Sequence, residues 1–243
     1  MTRTKKTVPV ALITGGAKRI GKAIAIRLAN RGYAIALHYH SSKAEASATA
    51  RRIRQRQGHC ELFCCDLSDP AAVCSLIKSV LKTFSRLDIL INNASVFKPG
   101  PLKDARVSEL DRSYAIHLRA PYILMQEFAS LQKRGQIINI LDTKISQNAV
   151  THVPYLLFKK ALADLTRLAA VELAPAFRVN GVCPGPILAP EGKISDYLKN
   201  AARTVPLQKS GSPEDICDAV EMLIDHNYMT GQLLFEDGGA HLL

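Results

Sequence analysis

The feature that most limits the fold is the position of the first glycine cluster. Residues 8–13 form a short apolar run that breaks directly into Thr14-Gly15-Gly16-Ala17-Lys18-Arg19-Ile20-Gly21, and residues 20–30 then have helical spacing that stops at Gly32. A strand that delivers a glycine-rich turn to a helix N-terminus is how an open α/β sheet begins. Glycine lets backbone amides approach a phosphate, and the helix dipole favours its charge. The rest of the chain keeps this alternation. Strand-like runs at 33–39, 60–65, 88–92, 136–141, 177–182 and 232–235 are separated by helix-like segments. Those segments lie at 43–57, from Asp69-Pro70 onward, at 107–132, at 152–173 and after Ser212-Pro213-Glu214-Asp215. The pattern predicts a doubly wound, Rossmann-like parallel sheet of about seven strands with helices on both faces.

Residues 1–243 read as a single domain, a length that one α/β core accommodates. After the sixth strand the chain makes an excursion, the segment 184–212, with a helix-like piece near 194–203. It follows the carboxyl end of a strand, where an excursion is expected to cover a ligand. Composition removes several function classes. No run approaches the ~20 apolar residues of a membrane span. The basic start carries no apolar signal region, so a cytoplasmic location is expected. Cys60, Cys64, Cys65, Cys74, Cys183 and Cys217 form no Cys-x-x-Cys pair and no zinc-like spacing with histidine. They read as free thiols, with no metal site. Adjacent Cys64 and Cys65 would point to opposite faces of a strand. The net charge of +11 is dispersed, apart from the N-terminal tail and the run Arg51 to Arg56, which reads as a solvated helix face. Without a recognition motif, that charge suits a small polyanionic ligand better than nucleic acid.

The candidate ligand contacts fall where strands end. Thr14, Gly15, Lys18, Arg19, Ile20 and Gly21 form the turn after the first strand. The second strand ends in His38-Tyr39-His40-Ser41-Ser42-Lys43, with no acid to bond a ribose 2′-hydroxyl. Lys18, His40, Ser41 and Ser42 instead offer cations and hydroxyls that suit a 2′-phosphate, so NADPH is expected over NADH. Asp66-Leu67 after the third strand can meet an adenine amino group. Asn93-Ala94-Ser95 after the fourth can lie against a ribose. All occupy the edge where open α/β sheets bind ligands.

Tyr155 and Lys159 are four apart on an expected helix and share one face. An ammonium beside a phenol is expected to lower the phenol's pKa toward the working pH. Asp142 lies at the end of the fifth strand, and Pro184-Gly185 closes the sixth.

In order and spacing these motifs resemble the short-chain dehydrogenase/reductase family over essentially the whole chain. That resemblance implies catalysis by Tyr155 and Lys159, with Asp142 at the position of the family's usual serine and His117 at that of its usual helix asparagine. It also makes Arg19 the replacement for the middle glycine of the family's phosphate turn. Within the family, Lys-Arg in that turn, His-Tyr-His after the second strand, Asn-Asn-Ala-Ser-x-Phe and the aspartate resemble pteridine reductases. His117 in Ile116-His117-Leu118, with the ending Asp237-Gly238-Gly239-Ala240-His241-Leu242, is similar to bacterial dihydromonapterin reductases. The resemblance implies NADPH-dependent reduction of a dihydropterin (dihydromonapterin, dihydrobiopterin or dihydrofolate) at a ring C=N. Phe97 would stack on the pterin, Arg19 and Ser95 would bond its polar edge, and Asp142, Tyr155 and Pro186 would complete the substrate site. A homotetramer is implied as well, with no nucleic-acid or membrane partner. A carbonyl reductase, such as a 3-oxoacyl-carrier-protein reductase, is the alternative enzyme. On the residues alone, Phe97 could be core, His117 a satisfied structural histidine and Asp142 a turn cap.

Overall fold

The computed structural model describes residues 8–189 and 196–243. Seven parallel strands form one sheet among these residues: β1 (Val10–Ile13), β2 (Ala34–Tyr39), β3 (Cys60–Cys64), β4 (Ile89–Asn92), β5 (Gly135–Ile140), β6 (Phe177–Pro184) and β7 (Leu233–Glu236). Their order across the sheet is β3-β2-β1-β4-β5-β6-β7. The order reverses between β1 and β4, and that crevice is where a doubly wound sheet offers room for a ligand.

Side-chain alternation builds two cores on the two faces. Ala11, Ile13, Ile35, Leu37, Ile138 and Ile140 pack on one face beneath α1 (Arg19–Asn30), α2 (Lys43–Gln55) and α8 (Pro213–Asp225). Val10, Leu12, Ala34, Ala36, Leu90 and Ile137 pack on the other, beneath α3 (Pro70–Phe84) and the helices that follow β4. Being buried on both faces, the strands read as continuous apolar runs, as expected for a parallel sheet. Asp69 caps α3 by accepting the Ala71 N–H at 2.9 Å, with Pro70 in its first turn. Ser212 and Asp215 cap α8 reciprocally.

Two elements depart from the sequence reading. The helix expected over 107–132 is three pieces: α4 (Val107–Tyr114), a wide π turn over Ala115–Arg119 and α5 (Ala120–Leu131). The turn holds buried His117, whose side chain is tied to the loop after β4. Strand β6 runs through Pro184 instead of stopping at 182, because β7 pairs with it as far as Pro184 opposite Glu236. The long helix α6 (Val153–Glu172) forms as expected. Part of the helix-like piece near 194–203 lies outside the described residues, and α7 covers Asp196–Ala202. Cys64 is exposed and Cys65 buried, and all six cysteines are free. Among the described residues no helix is long and apolar enough to cross a membrane.

Candidate active site

The turn from β1 into α1 is pressed against the end of β4. Gly15 has φ +62°, and a Cβ there would sit 2.9 Å from Ala94 Cα, so both its conformation and its surroundings exclude a side chain. Thr14 Oγ1 accepts the N–H groups of Asn93 and Ala94 at 2.9 and 3.0 Å, and Asn93 Nδ2 donates to the carbonyls of Thr14 and Gly15. Arg19 adopts φ +56°, the conformation glycine would supply at that position, at a steric cost of about 1–2 kcal/mol. Lys18, at the N-cap of α1, gives no side-chain cap, and no acid lies in the first turn. Amides uncapped by a side chain, a helix dipole and flanking Lys18 and Arg19 make a donor set that fits the diphosphate of a dinucleotide.

His38 corrects one expectation. Its place at the end of β2 suggests a ligand contact, but both of its ring nitrogens are engaged inside the protein. Nδ1 accepts the Gly15 N–H at 3.0 Å, and Nε2 lies 3.0 Å from the Cys65 carbonyl. Burial pushes its pKa down to about 4. It is a neutral strut between the glycine turn and the end of β3. Tyr39 and Leu67 are also buried, so of this group the exposed His40 and Ser41 and the half-buried Ser42 face outward. Asp66 accepts the Ser68 N–H and hydroxyl through one oxygen, which lowers its pKa, and the other oxygen lies 3.7 Å from His40 Nε2.

The residues expected to carry the chemistry converge past the ends of β5 and β6. Asp142 begins a short 3-10 turn over Thr143–Ser146. Its Oδ1 accepts the Lys144 N–H at 2.8 Å and its Oδ2 accepts the Tyr155 hydroxyl at 2.7 Å. It is therefore a turn cap and a partner of the tyrosine at once. Lys159 is buried one turn along α6 and donates to the Ile140 carbonyl at 2.6 Å. Burial lowers its pKa to about 8, with Asp142 acting in the opposite direction.

The expected depression of the Tyr155 pKa by Lys159 is not what the geometry produces. Burial, and then the charge and hydrogen bond of Asp142, hold the phenol well above its ordinary value. The ammonium is directed at a carbonyl and sits 5.9 Å from the Tyr155 ring centre. Tyr155 is thus a neutral donor to a carboxylate.

Phe97 is 41% exposed, so it is not core. It stacks on His152 at 4.1 Å between ring centres and meets Tyr155 edge-on at 4.9 Å. His117 meets Tyr155 edge-on at 5.1 Å. The Arg19 guanidinium donates to the Ala189 carbonyl at 2.9 Å, joining the glycine turn to the segment after β6. Gly185 packs against Asp237, its N–H donating to the Glu236 carbonyl, and Pro186 is half-buried beside it.

One network was missed by the sequence reading. Asn92 Nδ2 donates to Asn139 Oδ1 at 2.8 Å, and Asn139 Nδ2 donates to Thr166 Oγ1 at 2.9 Å, tying β4 and β5 to α6. The signal was present: each of two apolar strands carries one asparagine, and the two are register partners.

Residues 15–241 match a family model described as enoyl-(acyl carrier protein) reductase. Pteridine reductase 1 of Leishmania tarentolae is 36% identical, with 98% of each chain covered. The 3-oxoacyl-[acyl-carrier-protein] reductase FabG of Staphylococcus aureus is 31% identical, covering 98% of this chain and all of its own. The crystal structure of FolM alternative dihydrofolate reductase 1 from Brucella canis, complexed with NADP, superposes with a TM-score of 0.93 at 32% identity, covering 98% of this chain and 95% of that one.

Proposed function

The chain belongs to the short-chain dehydrogenase/reductase family, and from that premise we propose that it is an NADPH-dependent reductase of a dihydropterin. Dihydromonapterin, dihydrobiopterin and dihydrofolate are the candidate substrates. The observation that carries this reading is the carboxylate of Asp142 bonded to the Tyr155 hydroxyl. Hydride transfer to a carbonyl or to a ring C=N leaves a heteroatom that must gain a proton, and at a carbonyl a tyrosine beside a neutral hydroxyl supplies it. A ring nitrogen must gain a proton, and an ionisable pair can hold and pass one. The relatives include a pteridine reductase and an alternative dihydrofolate reductase, which supports the same substrate class.

Lys18, Arg19, Ile20 and Gly21 would hold the diphosphate of the dinucleotide, on a turn shaped by Thr14 and Gly15, with His40, Ser41 and Ser42 at the 2′-phosphate. Tyr39, Asp66 and Leu67 would line the adenine end. Asn93, Ala94, Ser95, Lys159, Pro184 and Gly185 would line the nicotinamide end, and His38 would act indirectly by bracing Gly15. Once bound, NADPH supplies the hydride for the ring C=N. Lys159 as ammonium makes the Asp142–Tyr155–Lys159 cluster neutral overall, so releasing one proton toward the substrate leaves a single negative charge. Phe97 would offer an aromatic face, with Arg19, Ser95 and Pro186 beside the substrate. The enzyme would work in the cytoplasm.

The test is steady-state NADPH oxidation with the three dihydropterins and with an acetoacetyl thioester. Asp142→Ala and Tyr155→Phe should each lower kcat/KM for the best pterin about 100-fold or more, the scale of lost proton transfer. Wild-type rates in both variants, or thioester turnover exceeding that of every pterin, would reject the reading.

A further inference from the structure

His117 is buried in the π turn between α4 and α5. Its Nε2 accepts the N–H of Val96 at 3.1 Å. A backbone amide can only donate, so Nε2 carries a lone pair and the ring proton resides on Nδ1. Nδ1 lies 3.1 Å from the hydroxyl of Ser113, a buried acceptor placed to receive that proton. The same Nε2 lies 3.1 Å from Ser95 Oγ. With no proton on Nε2, only the serine can donate across that gap. Nε2 has one lone pair, shared in a three-centre bond between the Val96 N–H and the serine hydroxyl, and a hydroxyl has one proton, so a serine that donates here turns it inward. Ser95 is exposed on the outer side of the turn, two residues before Phe97, and its outward lone pairs can only accept.

We propose that His117 is a specificity-determining positioning residue that fixes Ser95 as a hydrogen-bond acceptor, so that the site selects a substrate presenting an N–H there. The inference rests on the pterin reading above and deepens it. A pterin's polar edge offers donors, an exocyclic amino group and a ring N–H. An oxoacyl thioester offers only acceptors at its reacting end, which would face the serine's lone pairs unmatched. The arrangement holds through the working pH range. Burial and the charge of Lys159 keep the His117 pKa well below its ordinary value, and Tyr155, the other titratable group packed on the ring, stays neutral.

The experiment has two arms on the full chain. Imidazole 15N NMR, with Nε2 and Nδ1 assigned, reads the tautomer from pH 6 to 8 without turnover. Fluorescence titration in the presence of NADP+ compares 7,8-dihydropterin with its analogue lacking the exocyclic amino group, for wild type, Ser95→Ala and His117→Asn. The expected result is an unprotonated Nε2 and a preference of about tenfold for the amino ligand, the scale of one matched hydrogen bond. That preference should shrink to about twofold or less in both variants. A protonated Nε2, or a preference unchanged in Ser95→Ala, overturns the inference while pterin binding itself stands. Failure of both ligands to bind wild type overturns the pterin reading and the donor assignment with it.

Discussion

Lys159 and His38 act on the pH response of this molecule in opposite parts of the scale. Lys159 carries a pKa lowered to about 8, so its ammonium is present below that pH and lost above it. The neutral cluster with Asp142 and Tyr155 needs that charge, and kcat/KM should fall about tenfold per pH unit above pH 8. A flat profile to pH 10 would remove Lys159 from the charge balance. His38 acts on stability. Its folded-state pKa of about 4 lies below the ordinary 6.5, so the unfolded chain takes up a proton that the folded chain refuses. Above pH 6.5 both states are neutral at this site and nothing changes. As pH falls from 6.5 to 4, stability should drop by about 3 kcal/mol and then level off. Urea unfolding of wild type and His38→Asn across this range reads the effect, and the variant should show a shallower slope. Buried His117, also held neutral, contributes in the same direction.

At the scale of elements, the asparagine pair in the middle of the sheet ties α6 to β4 and β5. Asn92 and Asn139 are register partners on β4 and β5, and Asn139 alone reaches across to Thr166 of α6, the helix that carries Tyr155 and Lys159. Asn139→Ala would leave two buried polar groups without this partner and should cost about 2–3 kcal/mol, read as a shift in the urea midpoint at unchanged slope. Thr166→Val should cost less, because the Asn139 amide keeps its contact with the Met125 sulfur at 3.9 Å. If both variants unfold like wild type, the bridge is incidental. This network also marks what the sequence made legible. Strands such as Ile13 to Val10 and helices such as α3 were readable because apolar runs, caps and prolines are local signals. The π turn at His117 was not, because the partner its side chain bonds, Val96, lies 21 positions away. The raised Tyr155 pKa is hidden from the sequence for the same kind of reason. Sequence spacing placed Lys159 beside it, but only the fold shows the ammonium bonded to Ile140 and the carboxylate facing the phenol.

For the whole molecule, the outer faces of the helices pose a question of solvation. Leu157, Leu168 and Val171 stand 51%, 67% and 82% exposed along α6, and Val107 lies exposed on neighbouring α4. Tyr114 and Phe158 bring the two helices together with ring centres 5.5 Å apart, so these apolar side chains belong to adjoining faces. Exposed apolar side chains on neighbouring helices are stabilised by burial against another surface. We propose that a second copy of the chain supplies it, as the first contact of a homotetramer. The net charge of +11 on every copy opposes that contact, whereas apolar burial is insensitive to screening. Association should therefore tighten as salt rises from about 0.05 to 0.5 M, the range over which the Debye length contracts severalfold. Light scattering on the eluting protein should give the mass of four chains for wild type. The double variant Leu168→Lys, Val171→Glu should elute as a smaller species with NADPH affinity retained, because the altered side chains lie on the outer face of α6, away from Tyr155 and Lys159. A wild-type mass of one chain at every salt concentration, or an unchanged mass in the variant, would show that this face remains in water and that the charge governs the molecule's state.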